Sequence, residues 1–168
     1  MPTARRTRTI AAPVQELWEL ISDPHHLPRW WPRVARVEDV DGDAFTEVMK
    51  TAKGKVVRAD FRLIEVDESR HVLTWAQQVQ DTPFERFLQS AETEIRLASV
   101  ALSPDHAPDA TQVTIELRQT LNNSLSGAIG KSGLGSYFRG FGNSMVSRAA
   151  SDTLEQALDG LEQISGPV

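Results

Sequence analysis

The sequence predicts an α+β fold: one curved antiparallel sheet of about seven strands, two short helices after the first strand, and a long C-terminal helix packed on the concave face. Three observations lead to this prediction. The apolar period changes from helical to alternating after Pro32. The alternating segments are joined by short turns, which suit antiparallel but not parallel pairing. The last segment has a single apolar face. One sheet and one helix can therefore bury their apolar faces against each other in a single core. We expect residues 1–168 to form one domain.

The first strand is predicted over residues 4–12, and a helix follows it directly. Pro13 stands at a first helical position, where its missing N–H costs nothing. The apolar residues that follow have the spacing i, i+3, i+4, i+7 of an amphipathic helix: Val14, Leu17, Trp18 and Ile21. Asp23 before Pro24 is typical of a helix cap, and Pro28 limits the second helix to one or two turns, with partly 3₁₀ character.

Six more strands and a final helix complete the prediction. The strands are predicted over residues 34–40, 45–51, 55–66, 71–80, 92–102 and 111–121, and the helix over residues 144–165. The pair Asp41-Gly42 is a strong hairpin signal, and Lys53-Gly54 marks the next turn. Residues 122–142 are rich in Gly and Ser, and we assign no element to them.

The composition excludes several classes of function. A formal net charge of −5 argues against a general phosphate-backbone binder, so no nucleic-acid partner is expected. The absence of cysteine excludes disulfides, thiol catalysis and thiolate metal sites, and it fits a cytoplasmic protein. No apolar run approaches the roughly 18 residues that a membrane span needs. The adjacent His25 and His26 project in different directions from a helical turn, so we expect no metal site. We also expect no cofactor.

Two adjacent tryptophans between prolines form the most informative segment, residues 23–32. Leu27, Trp30 and Trp31 fall at i, i+3, i+4 and share one face of a helical turn. This aromatic segment can line an apolar pocket or fill a core. We expect one of the two indoles to anchor the core and the other to face a cavity, and the sequence leaves open which one does which.

These residues resemble a known superfamily. The segments Ala12-Pro13-Val14, Leu17–Pro24 and Leu27–Pro32 resemble the SRPBCC proteins, whose helix-grip fold is shared by START lipid-transfer domains, the birch-pollen allergen and bacterial polyketide cyclase/dehydrase-like proteins. The polyketide cyclase/dehydrase and lipid transport branch is the most similar. The resemblance is specific over about residues 5–42 and agrees in layout with the rest. It implies a helix-grip fold with a cavity between the sheet and the C-terminal helix, and it implies no catalytic residue.

Nine residues are the candidates for ligand contacts. They are Trp30, Trp31, Phe61, Trp75, Gln77, Tyr137, Phe138, Phe141 and Met145. Aromatic and methionine side chains on inward faces supply area and shape to a pocket, although they can also pack as ordinary core. Gln77 shares a strand face with Trp75, and an inward amide often orients a ligand. A shift of one residue in strand register would instead place Gln77 in solvent.

The predicted function is the binding of a hydrophobic small molecule, such as a lipid, a polyketide or an aromatic metabolite. We expect a ligand-binding protein rather than an enzyme. The alternative is a polyketide cyclase or aromatase, with Tyr137, Gln77 and His26 as candidates for the positioned acid or base. A second alternative is a protein-interaction helper, such as a co-chaperone or a quinone-binding factor, which predicts an exposed apolar patch. The oligomeric state is left open.

Overall fold

Seven strands form one antiparallel sheet in the computed structural model of the chain, which describes residues 3–51, 53–105, 109–122 and 143–165. The strands are β1 (Ala4–Ile10), β2 (Val34–Asp41), β3 (Ala44–Lys50), β4 (Val56–Asp67), β5 (Val72–Gln77), β6 (Leu88–Val100) and β7 (Ala110–Leu121). Their order across the sheet is β1-β7-β6-β5-β4-β3-β2. Strands β2 to β7 therefore form the predicted meander, and β1 pairs with β7 at one edge.

The helices lie where the proline and apolar patterns place them. They are α1 (Val14–Ser22), α2 (Leu27–Trp30) and α3 (Asn143–Ser165). A 3₁₀ turn, Pro24–His26, leads into α2, as the proline spacing predicts, and the Asp23 carboxylate accepts a hydrogen bond of 3.0 Å from the His25 N–H. The predicted α+β helix-grip fold is confirmed. None of the helices in the described part of the chain is long and apolar enough to cross a membrane.

The connection from β5 to β6 differs from the prediction. Strand β5 ends at Gln77 rather than at residue 80, and β6 begins at Leu88 rather than at residue 92. Between them Asp81 adopts a left-handed φ of 62°, and a 3₁₀ turn, Pro83–Arg86, follows. The Thr82 hydroxyl caps this turn by accepting a hydrogen bond of 3.2 Å from the Phe84 N–H. The alternation of apolar and polar residues does not predict this segment, because its apolar side chains are spaced as in a 3₁₀ turn and not as in a strand.

Helix α3 lies against the concave face of the sheet and against α2. Its buried apolar side chains form one stripe: Val146, Ala150, Leu154, Ala157, Leu158 and Leu161. At the β1 edge, Arg8 donates hydrogen bonds of 2.6 Å to Asp159 and 2.8 Å to Glu155. Gly160 packs so closely on α2 that an added Cβ would overlap the Trp30 backbone. The helix is thus held at its C-terminal half, while its N-terminal half stands over the middle of the sheet.

Candidate functional site

A cavity of about 240 Å³ lies between the sheet and the N-terminal half of α3. Strands β3 to β7 all contribute side chains to its wall. Helix α3 contributes the opposite wall, including Val146, Ala150 and Thr153. The segment between α2 and β2 adds Trp31 and Arg33. The structure therefore has a cavity at the position that the superfamily resemblance implied.

Three of the predicted aromatic residues form one side of the cavity. Trp31, Phe61 and Trp75 all line it. The rings of Trp31 and Trp75 meet edge to face, with centroids 5.5 Å apart and planes at 75°. Phe61 stacks on Phe45 at a centroid distance of 5.5 Å and an angle of 11°. Each ring is held by another ring, so the aromatic wall is preorganised rather than assembled by a ligand.

The tandem tryptophans divide their roles. Trp30 is 3% exposed, is not among the described lining residues, and packs within the core against α3. Trp31 is half-buried and lines the cavity. The two rings meet edge to face at 5.4 Å, so Trp30 supports the indole that faces the cavity. The division follows from the end of α2 at Trp30, since Trp31 already has an extended backbone, with φ of −83° and ψ of 130°.

Gln77 points into the cavity, as its shared face with Trp75 predicts. It lies at the end of β5 opposite Phe61 on β4. Its amide Nε2 is buried and has no hydrogen-bond partner among the described residues. An unpaired buried donor costs free energy unless water or a ligand satisfies it.

Glu47 also lines the cavity, although it is not among the nine predicted ligand contacts. It lies on β3 between two inward apolar residues, Phe45 and Met49, and it is 2% exposed. Its carboxyl forms no hydrogen bond or ion pair with the rest of the described chain, and burial raises its pKa to about 8. The available signal was its position: two residues from Phe45 and two from Met49, it must share their face.

The remaining charged groups of the cavity lie where solvent reaches them. Arg33 and Asp152 are both exposed lining residues, Arg33 before β2 and Asp152 on α3. Arg33 has a left-handed φ of 68°, a conformation that non-glycine residues rarely adopt. Among the described lining residues, Glu47 is therefore the one ionisable group in the interior.

None of the other predicted candidates is among the described residues that line this cavity. His26 lies beside Asp23 and Arg29 at the surface of the 3₁₀ turn and is not among the described lining residues. Tyr137, Phe138 and Phe141 fall outside the described residues, as does the side chain of Met145 in the first turn of α3. Within the described ranges, no group of histidine and carboxylate side chains could hold a metal ion.

Comparison with protein families agrees with this architecture. The family described as polyketide cyclase/dehydrase and lipid transport matches residues 1–165. This chain belongs to that family. The match covers the sheet, the helices and every described residue of the cavity, so the family resemblance of the N-terminal segment extends over the whole fold.

Solved structures show the same fold at low sequence identity. A START superfamily protein from Mycobacterium smegmatis has a TM-score of 0.68 at 16% identity, over 96% of this chain and 94% of that chain. A Thermus thermophilus protein has a TM-score of 0.64 at 21% identity, over 95% and 94%. The di-domain ARO/CYC protein BexL has a TM-score of 0.68 at 16% identity, over 95% of this chain but 44% of that chain. No curated protein matches the chain.

Proposed function

We propose that the protein binds a hydrophobic small molecule in the cavity between the sheet and α3. The observation that carries this proposal is the cavity itself, with its preorganised aromatic wall of Trp31, Phe61 and Trp75. Small-molecule sites are concave and mostly apolar, with a few polar groups that orient the ligand. Glu47 and Gln77 have that position here.

The size of the cavity favours a compact ligand. Its volume of about 240 Å³ lies just below the range of typical small-molecule sites, which begins at about 300 Å³. A bicyclic aromatic metabolite suits this volume better than a long acyl chain does. Family membership supports the proposal because the family description includes lipid transport.

Binding can be tested with tryptophan fluorescence and thermal unfolding. The panel consists of substituted naphthalenes, a naphthoquinone and medium-chain fatty acids, each at saturating concentration. A ligand in the cavity touches Trp31 and Trp75, so we expect a change in emission together with a higher melting temperature. If no member of the panel changes either signal, the proposal is wrong.

A pair of alanine variants locates the binding site. Ala91 lines the cavity from β6, whereas Ala98 is exposed on the same strand. Ala91→Leu fills part of the cavity and is expected to weaken binding at least tenfold. Ala98→Leu adds the same atoms outside and is expected to leave binding unchanged. Equal effects of the two variants would place the ligand elsewhere.

One observation favours the enzyme alternative, a polyketide cyclase or aromatase. Glu47 is a carboxyl group in an apolar cavity with a pKa of about 8, which is within the range of a general acid or base at neutral pH. In D₂O, a catalytic Glu47 would speed deuterium exchange at the methyl group of bound 2-acetylnaphthalene. The Glu47→Gln variant would lose this effect. Equal exchange rates with both proteins would leave binding as the function.

A further inference from the structure

Two polar groups in the cavity have unmet hydrogen-bonding capacity. The Gln77 Nε2 is buried without a partner in the described chain, and the Glu47 carboxyl forms no hydrogen bond or ion pair with the described residues. Burying such groups costs free energy. The lining also includes hydroxyl and amide side chains on β6, β7 and α3, but Glu47 and Gln77 lie on the two strands next to Phe61, so a ligand stacked on Phe61 meets these two groups.

The sheet register places Glu47 and Gln77 on either side of Phe61. Glu47 on β3 pairs with Ala59 on β4, and Gln77 on β5 pairs with Phe61 on β4. Two strand spacings and a two-residue offset put their Cα atoms roughly 12 Å apart. A flat ligand lying along the rings of Phe61 and Trp75 therefore has one polar group near each of its ends.

Both groups are donors at neutral pH. Glu47 keeps its proton because burial raises its pKa to about 8, so its carboxyl O–H can donate. The amide Nε2 of Gln77 donates as well. The other charged side chains in the described lining are Arg33 and Asp152, and both are exposed. An acceptor without charge therefore suits the interior, because an anion there would lose its hydration with no cation beside it among the described interior residues.

We propose that the ligand is an uncharged, largely apolar molecule with carbonyl oxygens, which accept hydrogen bonds from Glu47 and Gln77. The inference rests on the proposed function and specifies its ligand class. It predicts that the cavity discriminates against carboxylates, including fatty acids.

Three isosteric probes test the inference with the full chain. They are 2,6-diacetylnaphthalene, which carries one carbonyl oxygen at each end, 2,6-diisopropenylnaphthalene, in which methylene groups replace the carbonyl oxygens, and naphthalene-2,6-dicarboxylate. Their dissociation constants are measured by equilibrium dialysis at pH 6.5. Two added hydrogen bonds predict that the ketone binds about ten- to a hundredfold more tightly than the alkene. The carboxylate is expected to bind at least tenfold more weakly than the ketone.

Variants assign the preference to the two residues. Gln77→Met and Glu47→Met remove one donor each, and each is expected to reduce the ketone preference about three- to tenfold with little change for the alkene. In the wild type, ketone binding weakens as the pH rises through about 8, because Glu47 loses its proton. Glu47→Gln keeps a donor that does not titrate, so it abolishes this pH dependence. The matched control is Glu65→Gln, at an exposed position on β4, which keeps it.

The outcomes separate this inference from the proposed function. Equal affinities for ketone and alkene, or an unchanged preference in both methionine variants, would overturn the inference while binding itself stands. Tighter binding of the carboxylate would also overturn it. Failure of all three probes to bind would contradict the proposed function, and the inference with it. Melting temperatures of the variants show whether each of them is folded.

Discussion

Glu47 is an ionisable residue at a strand position whose side chain faces the apolar core. Phe45 and Met49 place their side chains in the apolar interior, and Glu47 must follow them because side chains alternate along a strand. A carboxyl group there lowers stability, and its neighbours offer nothing that offsets the loss. Positions that lower stability in this way are expected at functional sites rather than in structural cores.

The first prediction concerns the pH dependence of stability. The pKa of Glu47 rises from an ordinary 4.5 to about 8 on folding, so the folded state holds the proton between these values while the unfolded state releases it. The contribution of Glu47 therefore lowers stability progressively as the pH rises from about 4.5 to 8, by several kcal/mol at about 1.4 kcal/mol per pKa unit. Glu47→Gln should remove this decline, as measured by urea unfolding at pH 5 and pH 8.5.

The control for this measurement is Glu65→Gln at its exposed position. This variant should retain the wild-type decline between the two pH values. Parallel profiles for the wild type and Glu47→Gln would show that Glu47 does not hold its proton on folding.

For single residues, the sequence predicts the side-chain directions that follow the alternation of a strand, and it misses those that depend on where an element ends. Gln77 was placed inward because Trp75 lies two residues before it, and the structure agrees. The same alternation applies to Glu47, but a glutamate in a strand usually faces water, so residue type alone predicts the opposite side for it. Which of Trp30 and Trp31 faces the cavity depends on where α2 ends, and a difference of one residue in a helix end lies beyond pattern reasoning.

At the scale of elements, the contact between α2 and α3 fixes how far α3 stands from the sheet. Gly160 lets the α3 backbone approach the Trp30 backbone directly. Arg6 and Arg8 on β1 hold the same half of α3 through Glu155 and Asp159. The cavity lies under the other half, so these contacts support the cavity without lining it.

The second prediction concerns Gly160→Ala. At an exposed helical position this change stabilises by about 1 kcal/mol. Here the new Cβ would overlap the Trp30 backbone, and such overpacking costs about 1 to 3 kcal/mol. We expect a net loss of stability in urea unfolding. The control is Gln163→Ala, at an exposed position of the same helix, which should change stability by less than about 0.5 kcal/mol. A stabilised Gly160→Ala variant would mean that α2 and α3 do not pack this closely.

The third prediction concerns Arg8→Met, which keeps the aliphatic stem but removes the charge. Its ion pairs with Glu155 and Asp159 are partly exposed, so their loss should cost about 1 kcal/mol or less at low salt. The difference from the wild type should shrink in 1 M NaCl, because salt screens exposed pairs. Arg5→Met, on the opposite side of β1, should have no effect at either salt concentration. A salt-independent loss for Arg8→Met would point to packing instead.

The elements themselves were largely predictable. The first helices, the hairpin turns and α3 have strong periodic or proline signals, and the structure has them within about two residues. The connection from β5 to β6 was not predictable, because its buried residues Phe84 and Phe87 belong to a capped turn with neither period. Alternation of apolar and polar residues predicts strands, whereas the position of such a turn depends on tertiary packing.

At the scale of the whole molecule, the fold was predicted more completely than the site. Seven strands and one long helix leave few ways to bury one apolar face each, and the family resemblance selects among them. The cavity, in contrast, exists where side chains leave the space between the sheet and α3 unfilled. That depends on the joint shapes of side chains from five strands and α3, which no local pattern contains.

The tryptophans give the molecule an optical property of its own. Trp30, Trp31 and Trp75 stand in a row, with centroid distances of 5.4 and 5.5 Å and nearly perpendicular planes. Indole transitions this close couple as excitons, and a fixed chiral arrangement gives paired circular dichroism bands of opposite sign. Trp31→Phe removes the middle chromophore and should strongly weaken the pair, whereas Trp18→Phe should spare it, because Trp18 meets His71 instead. The far-ultraviolet spectrum thus carries an intrinsic record of whether α2 is seated against the sheet.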